Sequence, residues 1–190
     1  MILTSMVATL ALGFIGQQPP TFCPATLEEV KMPSITMVYG GTTFGTCCPD
    51  CQAPFEKDPA GLVAKAITAK KTVGVFQFDP ISGLRIESAK ALAYTDYKSI
   101  RYHFASKAEK KTFDATPAKF IGPITSEVYY CPIMDDATTF AEAASYADYK
   151  GVRYFLCCAA CVRKFRTDPV KYSKVSPDKV KALQVVTLKK

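Results

Sequence analysis

The chain has 190 residues and one histidine, His103, which stands in a stretch without cysteine. Imidazole is therefore missing wherever the thiols are, so a mixed Cys/His metal centre is excluded and any fourth ligand must come from elsewhere. There is no glycine-rich phosphate loop and no nucleophile elbow, and with the lone histidine this leaves little basis for an enzyme; none is expected. Beyond the N-terminus no apolar run is long enough to span a bilayer, and there is no low-complexity tract. A concentrated basic stripe is also missing, although the formal net charge is +7. Lys and Arg number 4 against 5 Asp and Glu over residues 21–70, 9 against 5 over 71–125, and 11 against 7 over 126–190. Lys107, Lys110 and Lys111, like Arg163, Lys164 and Arg166, read as solvated helix faces, so nucleic acid is not an expected partner.

What the chain does have is eight cysteines in a pattern written twice. Cys23 precedes Cys47, Cys48 and Cys51; Cys131 precedes Cys157, Cys158 and Cys161. A lone cysteine joined across about two dozen residues to a compact triplet is the spacing of a thiolate metal knuckle. All eight are candidate ligands, and sulfur-only sites suit Zn²⁺ or Cu(I). The fourth donor stays open among the vicinal cysteine, a carboxylate such as Asp50, water and a neighbouring chain.

The surrounding sequence repeats three times. Residues 79–120 align without a gap on 131–172: Asp79-Pro80-Ile81 on Cys131-Pro132-Ile133, Arg101-Tyr102 on Arg153-Tyr154, Phe113 on Phe165 and Pro117 on Pro169. The first copy fits with a two-residue deletion, Cys23-Pro24 answering Cys131-Pro132 and Phe55-Glu56-Lys57-Asp58-Pro59 answering Phe165-Arg166-Thr167-Asp168-Pro169. Where the outer copies carry cysteine, the middle one has Asp79, Ala105, Ser106 and Glu109. It reads as a spacer that keeps the packing residues and has lost the thiols; a rival reading groups Asp79, Glu109 and His103 as a harder site.

Each copy predicts a loop, a hairpin and a helix, giving an α+β chain of three small modules. In the third, Ser145–Tyr149 and Val152–Leu156 are strands about a Lys150-Gly151 turn, and a helix follows that carries Cys157 and Cys161 on one face of its first turn. The equivalent helices are expected from Cys47 to Lys57 and from Ala105 to Phe113, each anchored by its phenylalanine. Modules of about fifty residues are marginal alone and need metal, disulfides or mutual packing. The expected divisions are residues 21–70, 71–125 and 126–175, with a tail over 176–190 that reads as a capping amphipathic helix. Residues 1–20 read as an export signal: an apolar run through Val7-Ala8-Thr9-Leu10-Ala11-Leu12, then Gln17-Gln18-Pro19-Pro20, with no basic residue ahead of it.

Cys131-Pro132, Tyr149-Lys150-Gly151, Tyr154-Phe155-Leu156-Cys157-Cys158-Ala159-Ala160-Cys161, Phe165 and Asp168-Pro169-Val170-Lys171-Tyr172 together resemble the YHS and TRASH-type metal-binding domains. The resemblance implies a treble-clef-like fold and ligands at Cys23, Cys47 and Cys51 and at Cys131, Cys157 and Cys161. It also implies a part in heavy-metal sensing, trafficking or resistance. The middle copy departs from the family by lacking every ligand, and the first lacks the closing aromatic after Asp58-Pro59.

With export, the expected place is periplasmic or extracellular, without stable membrane insertion after signal cleavage. The expected partners are a metal ion and a metal transporter or other exported protein. Two alternatives stand beside this reading. An oxidising compartment favours a disulfide-stapled interaction module, although adjacent cysteines bond each other only with strain. Cys48-x-x-Cys51 and Cys158-x-x-Cys161 have the spacing of a thiol-disulfide oxidoreductase, although no thioredoxin-like βαβ order surrounds them.

Overall fold

The computed structural model describes residues 18–188. Its strands and helices are β1 (Ile35–Tyr39), β2 (Thr42–Thr46), α1 (Gln52–Lys57), α2 (Pro59–Thr68), β3 (Gly74–Phe76), β4 (Ala93–Tyr97), β5 (Ile100–Phe104), α3 (Lys107–Ala115), α4 (Pro117–Phe120), β6 (Ser126–Val128), β7 (Tyr130–Cys131), β8 (Asp136–Ala137), β9 (Ser145–Tyr149), β10 (Val152–Leu156), α5 (Ala159–Thr167), α6 (Pro169–Tyr172), β11 (Val180–Ala182) and β12 (Val186–Leu188). The fold is α+β. A six-stranded sheet runs β12-β1-β2-β3-β5-β4, a four-stranded sheet β11-β6-β10-β9, and β7 pairs β8 alone.

Three two-residue hairpins, β1-β2, β4-β5 and β9-β10, frame the architecture. Their turn residues Gly40-Gly41, Lys98-Ser99 and Lys150-Gly151 all have positive φ, the backbone of a type I′ turn, whose twist matches that of the paired strands. Each hairpin carries a helix by the same device. Phe55, Phe113 and Phe165 are buried and pack on Phe44, Tyr102 and Tyr154, with ring centroids 4.7, 5.2 and 4.9 Å apart. The helices then stop before Pro59, Pro117 and Pro169, each of which opens the next helix at a position where a missing N–H costs nothing.

β3 joins the first hairpin to the second. It pairs antiparallel with β2 and parallel with β5, so one sheet crosses both. One core accordingly holds Met37 and Phe55 with Phe76, Phe104 and Phe113, and extends to Phe140, Tyr146 and Phe155. A second, smaller core is confined to residues 128–165 and contains Cys131 and Cys161 beside Val128, Tyr154, Leu156 and Phe165. The middle segment expected as a spacer is thus the junction on which the others pack. Arg153 fixes this junction. Buried against Asp148 by two hydrogen bonds, it also donates to the Gly40 carbonyl of the first hairpin and lies over the rings of Phe76 and Tyr146.

Two expectations are corrected. The tail is not a helix: after one 3₁₀ turn, Pro177–Lys179, it forms β11 against β6 and β12 against β1, strapping the third segment to the first. Its alternating Val180, Ala182, Val186 and Leu188 suit an edge strand better than a helical stripe. Nor do the helices begin at Cys47 and Cys157. Cys48 and Cys158 are extended N-caps, followed by a 3₁₀ turn, Pro49–Cys51, in the first case and by α5 in the second. Cys47 and Cys157 therefore lie between strand and helix, and not on a helical face.

Candidate metal centre

Three elements converge at each cysteine group. A tight loop brings Cys23 or Cys131, the end of a hairpin brings Cys47 or Cys157, and the first helical turn brings Cys51 or Cys161. The loop has one conformation throughout. Cys23 N–H donates to the Glu28 carbonyl at 2.8 Å, Asp79 N–H to that of Leu84 at 2.8 Å, and Cys131 pairs with Asp136 in β7-β8. Leu27, Gly83 and Asp135 hold the same left-handed position, with φ of 61°, 77° and 56°. Such a loop aims its first side chain at the helix start.

The sulfurs of Cys23, Cys47 and Cys51 lie within 4.8 Å of one another, and so do those of Cys131, Cys157 and Cys161. Cys47 and Cys51 are 3.7 Å apart, sulfur to sulfur. A tetrahedral ion with bonds of about 2.3 Å to sulfur requires about 3.8 Å between them, so the spacing matches that of a thiolate-bound ion once the bond from Cys51 to Cys48 is reduced. Cys23, Cys51, Cys131 and Cys161 are buried, while Cys47 and Cys157 are half-buried, which leaves each group one open side.

Electrostatics set the thiols of each group against one another. Burial pushes the Cys23 thiol up, but hydrogen bonds from the Cys47, Thr26 and Ala25 backbone and the Thr26 hydroxyl outweigh it and hold Cys23 below the ordinary thiol range. Cys47 accepts from or donates to the Thr26 hydroxyl at 3.3 Å, which favours its thiolate; burial, the Cys23 sulfur and the Glu28 charge together prevail and raise it. Cys157 is pushed up to about 11 by burial, then by Cys131 and the Asp136 charge. One anion in each group thus opposes the next, and a metal ion relieves that repulsion while displacing protons.

Cys48 and Cys158 stand apart from these groups. Each is disulfide-bonded to the cysteine three residues on, Cys48 to Cys51 and Cys158 to Cys161, with Cα atoms 5.6 and 5.4 Å apart. Cys51 and Cys161 consequently belong to two arrangements, a three-sulfur group and a disulfide, and a disulfide sulfur is no thiolate donor.

The middle segment holds no such group. Asp79 is buried, and its carboxylate accepts from the Ile81 and Ser82 amides at 2.8 and 3.3 Å and from the Ala105 amide at 2.9 Å. Ser106 caps α3 by accepting from the Glu109 amide at 3.1 Å and donates to the Glu109 carboxylate at 2.8 Å. His103 faces away, with Nε2 3.0 Å from Gln18 Oε1, and burial lowers it to about 4. Asp79, Glu109 and His103 are therefore not brought together.

One residue pair escaped the sequence reading. The carboxylate in contact with the first group is that of Glu28, whose Oε2 lies 3.7 Å from Cys47 Sγ, where Asp50 had been the candidate. The repeat carried the signal, since Glu28 and Asp136 hold one position and the thiol-free copy has Leu84 there.

No protein-family model, no curated protein and no solved structure matches this chain. The geometry itself defines a cysteine-rich α+β protein with two groups of three sulfurs that could hold a metal ion.

Proposed function

We propose that the protein binds heavy-metal ions, Zn²⁺ or Cu(I), through cysteine thiolates at two sites, and serves metal trafficking or resistance outside the cytoplasm. The observation that carries this reading is the pair of three-sulfur groups, built alike in two segments from the residues that resemble the YHS and TRASH-type ligands. On this reading the chain is three treble-clef-like modules, two of them loaded and the middle one structural. Export rests on the apolar N-terminal run, of which residues 1–17 lie outside the described structure. No helix among the described residues is long and apolar enough to cross a membrane. A metal transporter or another exported protein would be the delivery partner.

Protein purified anaerobically should carry about two equivalents of metal, and Cys161→Ser should remove about one. Metal-free protein with titratable thiols only at Cys23, Cys47, Cys131 and Cys157, or with none, would support the second reading, a disulfide-stapled module. The Cys48–Cys51 and Cys158–Cys161 bonds favour that alternative specifically, and with it a thiol-disulfide exchange role. Metal content and thiol count, measured on one sample, separate the two.

A further inference from the structure

We propose that Glu28 and Asp136 are the fourth ligands of the two sites, making each a set of three thiolates and one carboxylate. This rests on the metal-binding reading above and specifies its donor set.

Three observations carry it. First, each carboxylate stands directly opposite a buried ligand across an antiparallel contact: Glu28 opposite Cys23 through the Cys23 N–H bond, Asp136 opposite Cys131 in β7-β8. Residues so opposed project from the same face, with Cβ atoms about 4.5–5.5 Å apart. The loop that aims the first sulfur at the helix start therefore aims the carboxylate to the same side. Secondly, Glu28 Oε2 is 3.7 Å from Cys47 Sγ. A tetrahedral ion with a bond of about 2.3 Å to sulfur and about 2.0 Å to oxygen places those two ligand atoms about 3.5 Å apart. The side chains of Glu28 and Asp136 are exposed, so neither is held away from the open side by packing. Thirdly, the middle segment keeps the loop, its hydrogen bond and its left-handed residue, yet carries Leu84 at this position. Carboxylate and thiols are absent together where the backbone has stayed the same.

In the reduced chain the vicinal thiols of Cys48 and Cys158 are the competing donors; neither they nor the carboxylates lie within 4.8 Å of all three sulfurs, so either joins by a side-chain rotation. A carboxylate oxygen is a hard donor and completes four-coordination, so the ion selected is a divalent, borderline one such as Zn²⁺. Cu(I) is satisfied by the three sulfurs alone.

The test uses the full chain, reduced and titrated with Zn²⁺ against a chromophoric chelator. Glu28→Gln and Asp136→Asn should each weaken one of the two sites by at least about 10-fold, the cost of disturbing a ligand shell. The other site of the same molecule should stay unchanged and so reports that the variant is folded. Cu(I) binding should be unaffected. Cys48→Ser and Cys158→Ser should leave Zn²⁺ affinity unchanged, and a loss there in place of one in Glu28→Gln and Asp136→Asn would overturn the assignment. In Co²⁺-loaded protein, Glu28→Cys should raise the sulfur-to-metal charge-transfer absorbance of one site while keeping the tetrahedral bands. Zn²⁺ affinities within about twofold of wild type for both Glu28→Gln and Asp136→Asn would overturn the assignment and leave the thiolate sites standing. A reduced wild-type chain that takes up no Zn²⁺ would overturn the metal reading itself, and this one with it.

Discussion

The middle and third segments place the same elements 52 residues apart and fasten them with different chemistry. β3, β4, β5, α3 and α4 coincide with β6, β9, β10, α5 and α6 residue for residue, and even the parallel register is shared, Gly74 opposite Ile100 and Ser126 opposite Val152. In the third segment the loop, hairpin end and helix start meet through Cys131, Cys157 and Cys161. In the middle one, Asp79 spans the same gap by accepting amide hydrogen bonds from its own loop and from Ala105, and Ser106 with Glu109 caps the helix. A buried carboxylate that accepts several amides is satisfied without a cation. The comparison teaches that the backbone does not need sulfur at these positions.

The sharpest way to break this comparison is to remove Asp79. Asp79→Ala strips a buried acceptor from three backbone amides, those of Ile81, Ser82 and Ala105, and should destabilise the protein by about 2–4 kcal/mol. Urea unfolding should show the same loss with and without a metal chelator, because no ion is involved. In wild type the chelator alone should lower stability, by about 4 kcal/mol for each site at which the metal had stood at a thousand times its Kd. An Asp79→Ala loss below about 0.5 kcal/mol, or one that vanishes with chelator, would show that the carboxylate does not replace the site.

Much of this was legible in the sequence, for a physical reason. Hairpin turns need positive φ, buried helix anchors need large aromatics, and helix ends before Asp-Pro need no tertiary help, so Lys150-Gly151, Phe165 and Asp168-Pro169 announce their roles locally. The knuckle spacing likewise groups Cys23 with Cys47, Cys48 and Cys51, of which Cys23, Cys47 and Cys51 come within 4.8 Å of one another while Cys48 is bonded to Cys51. What local signals could not convey depends on partners far away in the chain. Val186–Leu188 becomes a strand only because β1 offers it an edge, and β3 joins two hairpins because its two neighbours leave complementary edges. The helix starts were misplaced for a similar reason. Ala159 and Ala160 are good helix formers, but the extended Cys158 that precedes them is set by the hairpin exit.

A smaller difference between the two segments concerns charge inside the sheet. Glu127 in β6 occupies the place of Val75 in β3, and its buried carboxylate accepts only weak hydrogen bonds, from the Tyr129 hydroxyl and the Gln184 amide. Burial raises it from 4.5 to about 7, opposed in part by the Tyr129 hydroxyl, the Gln184 amide and the Arg153 charge. Because the folded state holds this proton more tightly than the unfolded chain, the associated stability is complete below about pH 4.5 and is lost as pH rises through about 7. Between pH 5 and pH 8 the wild type should lose on the order of 1–2 kcal/mol more than Glu127→Gln, allowing for partial screening of the full shift. Parallel urea midpoints for the two proteins would refute the assignment to Glu127.

The smallest effect is expected in the hairpin turns, where the middle segment departs from its neighbours in a single atom-level respect. Ser99 has φ of 65° where the other two hairpins place Gly41 and Gly151, at 81° and 78°. A side chain in that region crowds its own backbone at a cost of about 1–2 kcal/mol, part of which glycine returns as entropy to the unfolded chain. The structural work of the position is done by its carbonyl. Ser99 accepts from the amides of Val73 and Gly74 at 2.9 and 3.3 Å, and Gly151 from those of Thr125 and Ser126 at 2.9 and 3.3 Å. Glycine keeps those bonds, so Ser99→Gly should stabilise the protein by about 0.5–1 kcal/mol and raise Tm by about 2–4 °C in a thermal scan. The reverse change, Gly151→Ser, should cost a similar amount. If Ser99→Gly were neutral while Gly151→Ser was costly, the two turns would not be equivalent, and the match between the segments would stop short of their backbone strain.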